Sequence, residues 1–319
     1  MSSTAGSPSL TVVVVVFAGR TYLLRCLDAL SGQIAAPALE IIVPCDESLS
    51  DVGALRRRFP RVQFVCVTGR RTYAELRALG LRHARGDLIA LTEDHCTPDT
   101  NWCASIVKAH TASHAAVGGA VDKAPPGTAL ERAIYLSDFS RYMPPLREGP
   151  AAYLTDCNVS YKRSALAVIA ELWAEEFHET TVNWALRARG ESLWLSPELI
   201  VRQQRSLSFG AALHDRYAFG RLFASTRVAA TSATRRILYA VFSVALPALL
   251  VGRVVKNVLT RRRPLSQLIR TLPPLVLVNV VWAWGELLGY LTGRPPRSLA
   301  PVGDHGSGLL GQVTPPPAT

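Results

Sequence analysis

Residues 87–98, with the sequence DLIALTEDHCTP, contain the strand and the polar turn on which the fold prediction depends. The apolar residues from Leu88 to Leu91 follow one another without polar alternation, which is typical of a strand buried on both faces. Glu93, Asp94 and His95 come directly after this strand, and carboxylate and imidazole side chains can bind a divalent metal. An exposed acidic turn gives the same local pattern, so the neighbouring segments must decide between the two.

Three further strand patterns precede this stretch, at residues 12–17, 39–45 and 62–67, and segments with helical spacing separate them. Alternating strands and helices predict an α/β fold with a mostly parallel, Rossmann-like sheet and helices on both faces. Ligands bind such sheets at the carboxyl ends of the strands, so the polar residues after each strand form the candidate site. Beyond residue 115 the alternation is looser, with short patterns up to a helix at 209–230.

Two apolar runs near the C-terminus predict hydrophobic membrane helices after the α/β domain. Residues 272–291 have the length of about 20 residues that a helix needs to cross a bilayer. Residues 237–252 are shorter and contain Pro247, and we expect them to be re-entrant or interfacial. Buried helices of a soluble protein are the alternative. The predicted organisation is a disordered segment at 1–9, the α/β domain at 10–230, membrane-associated helices at 231–293 and a disordered Pro/Gly-rich tail at 294–319.

The formal net charge of +11 indicates an anionic partner, which can be nucleic acid, lipid head groups or a phosphorylated substrate. Residues 253–270, between the two apolar runs, contain six Lys or Arg residues and no acid. A basic segment between two helices that are apolar enough to enter a membrane favours anionic lipids as the partner and argues against nucleic acid. The positive-inside rule then places this segment on the cytoplasmic side of the membrane.

The cysteines and the N-terminus favour the same compartment. Six cysteines lie without metal-binding spacing, several of them in apolar strand-like runs, so we expect buried, reduced thiols. The N-terminus lacks the basic region of a signal peptide, and residues 10–17 are too short for its apolar core. These features predict a membrane protein whose α/β domain lies on the cytoplasmic face.

Two more acids occupy positions where either a structural or a chemical role is expected. Asp46 lies in the turn CDESLSD at residues 45–51, where it can accept a hydrogen bond from a base or a ribose. Asx-turn chemistry explains the same residue without a ligand. Glu179 follows His178 at the start of a predicted helix, where the helix dipole favours any acid. The same carboxylate is also a candidate general base.

Together, and in this order, these motifs resemble the family 2 glycosyltransferases of the GT-A fold over residues 10–225. The resemblance rests on several segments at compatible spacing, which makes it more specific than any one of them. The segments are Val16-Phe17-Ala18 at the end of the first strand, Asp46, the helix at 72–80 with Arg77 followed by Ala84-Arg85-Gly86-Asp87, Glu93-Asp94-His95 at the Asp-x-Asp position with Pro98 and Trp102, Asn158 to Arg163, and His178-Glu179 at the catalytic Glu-Asp position.

The resemblance implies transfer of a sugar from a nucleotide-sugar donor, with inversion at the anomeric carbon. It makes Glu179 the general base and gives Glu93 and His95 the role of holding Mn²⁺ or Mg²⁺. The residues that it places on the donor side are Phe17, Ala18, Asp46, Arg77, Glu93 and Asp94. The residues that we assign to the acceptor side are Trp102, Asp156 and Asn158.

The sequence departs from the family pattern at some of these positions. Ala78 replaces the usual Asn, Glu93 replaces the first Asp of the metal motif, and His95 occupies its third position. Glu179 replaces the Asp that acts as base, and Gln203 stands where many members have His. These changes leave the reaction class in place and leave the metal and the donor open.

The segment after the last strand bears on processivity. Processive synthases of this type carry a Gln-x-x-Arg-Trp signature, whereas residues 202–205 are Arg-Gln-Gln-Arg with no Trp. We therefore expect transfer of one or very few sugars to a lipid-linked or membrane-bound hydroxyl, in the synthesis of a cell-envelope glycan.

A nucleotidyltransferase is the rival enzyme, although FAGR at residues 17–20 is a poor phosphate loop. A catalytically degenerate membrane scaffold of the same fold is the non-enzymatic alternative.

Overall fold

The computed structural model describes residues 8–125, 127–228 and 231–294. The chain forms two compact units. Within the described residues, the first unit runs to Asp122 and resumes at Pro144–Gln204, and the second contains Lys123–Met143 and residues 205–294. Most of the predicted disordered termini, residues 1–7 and 295–319, lie outside the described residues. The predicted domain boundaries at residues 230 and 293 stay predictions.

The described residues contain nine strands and eleven α-helices. The strands are β1 Leu10–Val15, β2 Leu39–Cys45, β3 Val62–Cys66, β4 Leu88–Glu93, β5 Cys96–Pro98, β6 Ala116–Lys123, β7 Gly149–Pro150, β8 Asn158–Lys162 and β9 Leu193–Gln203. The helices are α1 Arg20–Ser31, α2 Val52–Arg58, α3 Tyr73–His83, α4 Trp102–Ala109, α5 Ala129–Phe139, α6 Arg163–Ala167, α7 Glu179–Ala188, α8 Phe209–Arg227, α9 Ala233–Ser243, α10 Leu246–Thr260 and α11 Leu265–Thr292.

The sheet of the first unit is mixed, with a parallel half and an antiparallel half. Its strand order is β3-β2-β1-β4-β8-β6-β9-β5, with β7 paired to β9. The predicted parallel arrangement is found in β3-β2-β1-β4, where strands alternate with helices. Strand β8 pairs antiparallel to both β4 and β6, and β5 pairs antiparallel to β9. Apart from the short β5, the antiparallel half comes from the region beyond residue 115, where the sequence loses the regular alternation.

The parallel strands owe their position to continuous apolar runs. All six residues of β1 are buried, since this strand lies between β2 and β4 and is covered on both faces. The carboxyl ends of β1, β2 and β4 therefore present Phe17, Asp46 and Glu93 at one edge of the sheet. The polar groups predicted from the strand ends are thus brought to the same edge.

Helix α3 begins with a capping box that fixes its first turn. The Thr72 hydroxyl accepts a hydrogen bond from the N–H of Glu75, and the Glu75 carboxylate accepts one from the N–H of Thr72. Five residues after this cap, Arg77 lies on the buried face of the helix, together with Ala74 and Ala78. The cap fixes where the helix begins, and this determines that the Arg77 side chain faces the sheet.

The cysteines differ in part from the prediction of six reduced thiols. Cys45 and Cys66 form a disulfide in the structure. They are direct partners in the register of the parallel strands β2 and β3, with their Cα atoms 4.5 Å apart, a separation within the range of disulfides. The remaining thiols are free and buried, as expected for small apolar side chains: Cys26, Cys96, Cys103 and Cys157.

The second unit is helical. Helix α8, Phe209–Arg227, confirms the helix predicted at 209–230, and Asp138 of α5 forms a buried ion pair with its Arg216. Helix α11 is the one helix in the described ranges that is long and apolar enough to cross a membrane, by length and composition. Helices α9 and α10 meet at 56° and pass the same test only together, as a broken span or a re-entrant loop, so the re-entrant arrangement expected for residues 237–252 stays a prediction. The predicted basic connection 253–270 is itself largely helical, because α10 runs to Thr260 and α11 starts at Leu265.

Candidate functional site

Asp94 holds the turn that follows β1. Its carboxylate oxygens accept hydrogen bonds from the backbone N–H of Ala18, at 2.9 and 3.0 Å, and of Gly19, at 2.8 Å. Gly19 has φ of 94°, a conformation that a glycine adopts without strain. Asp94 thus joins the end of β1 to the end of β4, and its charge is offset by backbone N–H groups.

Asp46 organises the turn that follows β2. One carboxylate oxygen accepts hydrogen bonds from the N–H and the hydroxyl of Ser48, at 2.8 and 2.5 Å, and the other accepts one from the N–H of Arg71, at 2.7 Å. Burial alone would raise the pKa of Asp46, but these hydrogen bonds and the charge of Arg70 lower it. The Asx turn foreseen as an alternative is present, and Asp46 also positions the segment that leads into α3.

Two aromatic rings stack beside these turns. The ring centroids of Phe17 and Tyr73 are 3.7 Å apart with an angle of 16° between the planes, and Arg77 lies over the Phe17 ring at 5.3 Å. The ring of His95 approaches Phe17 edge-on, at 6.1 Å. Phe17 is therefore in contact with groups from α3 and from the β4 end. Tyr73 was not singled out by the sequence, although it opens the same helix that carries Arg77.

Arg77 is the centre of a buried cluster of charges. Its Nη2 lies 2.9 Å from Oε1 of Glu93 and also forms an ion pair with Asp156. Burial alone would lower the pKa of Arg77, but the charges of Asp156, Glu93 and Glu179 raise it. One guanidinium thus faces three carboxyl groups, which come from β4, the segment before β8 and the start of α7.

The three carboxyl groups are almost completely buried, with 0% exposure for Glu93 and Asp156 and 1% for Glu179. Burial, followed by the charge of Asp156, raises the pKa of Glu93 to about 8. Burial and the same neighbouring charge raise the pKa of Glu179 well above its ordinary value. Asp156 and Glu179 lie close enough to share a proton, and Tyr153 donates a hydrogen bond to Glu179.

Some oxygens of this cluster receive no hydrogen bond from a protein N–H or O–H in the described part of the chain. They are Oε2 of Glu93, Oδ1 of Asp156 and Oε1 of Glu179, while Oδ2 of Asp156 has its ion pair with Arg77. Buried carboxylate oxygens without donors are costly unless a proton or a cation balances them. One arginine cannot balance three ionised acids, so a proton or an additional cation must offset the remaining charge.

Glu93 and His95 also form a group of possible metal ligands with Cys96. Nε2 of His95 lies 3.3 Å from Oε2 of Glu93, and one ligand atom from each of the three residues lies within 4.8 Å of the others. Carboxylate oxygens suit Mn²⁺ or Mg²⁺, whereas imidazole and thiolate ligands favour a softer ion such as Zn²⁺. The residues therefore fit a divalent ion. Cys96 was not predicted as a ligand, because a single Cys in a strand is more often a small apolar side chain.

Trp102 and Asn158 form a separate buried group. Nε1 of Trp102 donates to Oδ1 of Asn158 at 2.9 Å, and Nδ2 of Asn158 donates to the carbonyl oxygens of Ala120 and Leu199, at 2.8 and 3.0 Å. These bonds join α4, β8, β6 and β9, and both side chains are fully buried. Of the residues predicted on the acceptor side, Asp156 lies in the Arg77 cluster, whereas Trp102 and Asn158 bind each other.

Comparison with known proteins assigns this arrangement to a family. Residues 11–169, about half of the chain, match the model of glycosyl transferase family 2. No curated protein sequence matches the chain. The mannosyltransferase PcManGT from Pyrobaculum calidifontis, solved with GDP-Man and Mn²⁺, is similar in fold over 91% of this chain and 86% of its own, with 17% identity and a TM-score of 0.51. Residues 1–349 of S. aureus TarS match 87% of this chain and 92% of their own length, with 13% identity and a TM-score of 0.45. The family match over the domain that holds the acidic cluster identifies the chain as a GT-A glycosyltransferase of family 2.

Proposed function

We propose that this protein is an inverting, non-processive glycosyltransferase that moves a sugar from a nucleotide-sugar donor to a hydroxyl group of a lipid-linked or membrane-bound acceptor. The observation that carries the proposal is the convergence of Glu93, Asp156 and Glu179 on the single guanidinium of Arg77, with the metal-ligand group of Glu93 and His95 beside it. Such a site can hold a cation and a proton-accepting carboxylate in one buried volume, and an inverting transfer needs both.

Glu179 is the proposed general base. It is the first residue of α7, its Oε1 receives no hydrogen bond from the described residues, and Tyr153 and Asp156 hold the rest of its carboxyl group. The acceptor hydroxyl would give its proton to this oxygen as it attacks the anomeric carbon. Because Glu179 has a raised pKa, it is a stronger base than an exposed carboxylate once it is ionised.

The donor side is assigned to the strand ends. Glu93 and His95 would hold Mn²⁺ or Mg²⁺, and a bound divalent ion supplies charge stabilisation for the departing diphosphate. Asp46 and Phe17 would hold the nucleoside, while Asp94 keeps the Ala18 turn in place. The Pyrobaculum protein, which has a similar fold, was solved with GDP-Man and Mn²⁺, and this supports a nucleotide-sugar donor with a metal here.

The acceptor and the location are proposed from the C-terminal helices. Helix α11 has the length and composition of a membrane span, and the second unit is rich in Arg. A lipid-linked hydroxyl at the cytoplasmic face of a membrane would explain why a transferase domain is joined to such helices. The lack of Trp after residues 202–205 supports transfer of one or few sugars.

The test is a transfer assay with the purified full-length protein, a panel of radiolabelled nucleotide sugars, Mn²⁺ or Mg²⁺ and a membrane lipid extract. We expect one donor to label a lipid product of inverted anomeric configuration, and Glu179→Gln to abolish the labelling while nucleotide binding is retained. Glu176→Gln is the matched control, because Glu176 is exposed and lies three residues before Glu179. Full activity of Glu179→Gln, or a product with retained configuration, would refute the assigned mechanism.

A further inference from the structure

Positive charge is distributed unevenly between the two units. The described residues of the second unit include sixteen Lys or Arg and four Asp or Glu, whereas those of the first unit include eighteen and nineteen. The second unit therefore accounts for the whole net charge of +11. Its acids are already bonded within the unit: Asp138 to Arg216, Asp215 to Arg205, Glu131 to Ser206, and Glu286 to Trp282 and Tyr290.

Exposed apolar side chains are concentrated in the same unit. Of the nineteen large hydrophobic residues exposed in the described structure, sixteen belong to the second unit. A soluble surface scatters such residues singly, and contiguous sets indicate a binding face. Helix α11 carries a continuous set on one side of its axis: Leu265, Ile269, Leu272, Val276, Val280, Trp284 and Leu291. We call these seven residues the α11 stripe.

The other side of α11 packs against α5 and α8, which carry arginines. Near its start, Gln267 accepts a hydrogen bond from Arg132 of α5 at 3.0 Å, and Asn279 donates one to Ser137 of α5 at 3.1 Å. Near its end, Arg227 of α8 reaches the hydroxyl of Tyr290 at 3.4 Å. If α11 crossed a bilayer, α5 and α8 would enter the hydrocarbon with their arginines. Each arginine at the bilayer centre costs about 3 kcal/mol or more.

We propose that the second unit binds the surface of an anionic lipid bilayer with α11 parallel to the membrane plane, so that the α11 stripe enters the acyl chains along its whole length. Amphipathic helices bind in this way when cations lie beside an apolar face. Exposed cations are present on α10, the following turn and α11, and within the described structure none forms an ion pair with an acid: Arg253, Lys256, Arg262 and Arg270.

Charge decides between a bilayer and a second copy of the chain as the occupant of this face. A symmetric dimer through the α11 stripe would bring the same cation-rich surface of each copy together, and like charges would oppose the contact. An anionic bilayer offers acyl chains to the stripe and phosphate groups to the arginines. The inference concerns the second unit alone, and it stands whether or not the first unit transfers sugar.

The depth of the stripe in a membrane tests the proposal. Single variants Ile269→Cys, Val276→Cys, Trp284→Cys and Leu291→Cys of the full-length protein are labelled with bimane and added to preformed vesicles of phosphatidylcholine and phosphatidylglycerol. The introduced thiol is the accessible one, because the native cysteines are paired or buried. Lipids with quenchers at graded depths then report the depth of each label. Thr226→Cys is the control, since it is exposed and lies two residues past Ala224, which faces α11.

We expect all four stripe positions to be quenched at the same shallow depth and Thr226→Cys to be quenched little. A profile that is deepest at Val276→Cys and shallow at both ends would show that α11 spans the bilayer and would overturn the proposal. Absence of quenching at all four positions, including the case in which the protein only self-associates, would also overturn it.

The cations are tested separately by vesicle binding. The triple variant Arg253→Gln, Lys256→Gln, Arg262→Gln should bind the anionic vesicles about 100-fold more weakly, at about fivefold per cation near the surface. Three exposed cations of the first unit, changed together, serve as the control and should have a smaller effect: Lys108→Gln, Arg163→Gln and Arg189→Gln. Wild-type binding by the first triple variant, with its fold intact by circular dichroism, would refute the role of anionic lipid.

Discussion

Nη2 of Arg77 lies 2.9 Å from Oε1 of Glu93, and both side chains are buried. This ion pair joins the middle of α3 to the carboxyl end of β4, and the same guanidinium contacts Asp156. The pair is therefore both a tie between two elements of the sheet domain and the cation that balances the acidic cluster. Its removal should have consequences for stability that depend on whether another cation is present.

We expect Arg77→Met to lower the free energy of unfolding of the metal-free protein by about 3–5 kcal/mol, because breaking a buried ion pair leaves its partner charges uncompensated. Urea unfolding in the presence of a chelator measures the change. Addition of Mn²⁺ should restore part of the loss in the variant, since a cation would again face Glu93. Arg82→Met, on the exposed side of the same helix, is the control and should change stability by less than about 1 kcal/mol. Equal effects of the two substitutions would contradict the role given to Arg77.

Asp94→Asn should destabilise the turn after β1 by about 1–3 kcal/mol, because the substitution replaces one of two oxygens that accept hydrogen bonds from Ala18 and Gly19. Donor affinity should fall as well, since Phe17 and Ala18 lose their fixed position. Thermal unfolding and nucleotide titration calorimetry measure the two effects. Asp87→Asn is a suitable control because Asp87 forms an exposed ion pair, which contributes about 1 kcal/mol or less. If Asp94→Asn affects neither quantity, Asp94 does not hold the turn.

The parallel half of the sheet and most of the site residues at the carboxyl ends of its strands were predictable from the sequence. Continuous apolar runs such as residues 12–17 define buried strands, and the ends of parallel strands meet at one edge. Local pattern alone was therefore enough to bring Asp46, Glu93 and His95 to one side of the sheet, whereas Phe17 was identified by the family resemblance. Sequence order carries this information because each strand is followed closely by its own polar turn.

The partner of each polar side chain was not predictable in the same way. Whether Asp94 points towards a ligand or towards the N–H groups of Ala18 depends on backbone geometry some 76 residues away in the chain. The bond between Trp102 and Asn158 and the disulfide between Cys45 and Cys66 likewise depend on register between distant segments. The apolar pattern of α11 also did not show which of its sides α5 and α8 cover, because that contact depends on the close approach of helices that are distant in the chain.

Close contact between α8 and α11 depends on glycine at Gly285. A Cβ atom there would collide with the carbonyl oxygen of Tyr217 on α8, a backbone atom that cannot move alone. Gly285→Ala should therefore destabilise the second unit by about 1–3 kcal/mol through overpacking. Gly252→Ala is the matched control: a Cβ atom on this helical glycine would meet no described neighbour within 4 Å, and Ala should stabilise α10 by about 0.5–1 kcal/mol. Hydrogen exchange of the α11 and α10 amides measures each effect locally, and faster exchange in both variants would contradict the difference.

His110 should make the stability of the first unit depend on pH. Its Nε2 lies 2.9 Å from the hydroxyl of Ser160, and burial, followed by the charge of Lys162, lowers its pKa from 6.5 to about 4. The unfolded chain therefore binds a proton at His110 at a higher pH than the folded chain does. The resulting stability is present in full above pH 6.5 and is lost as the pH falls through 4. A shift of this size corresponds to about 3 kcal/mol.

Because the acidic cluster titrates in part of the same range with the opposite sign, the effect of His110 is isolated by comparison with His110→Gln. The Gln amide can occupy the position of Nε2 and bind Ser160 without gaining a charge. We therefore expect the variant to be less stable than wild type at pH 7 and to be at least as stable as wild type near pH 4. Urea unfolding at a series of pH values measures the difference between the two proteins. A difference that stays constant across the series would mean that His110 does not change its proton affinity on folding, and burial of the neutral ring would then not be the cause of any loss of stability in acid.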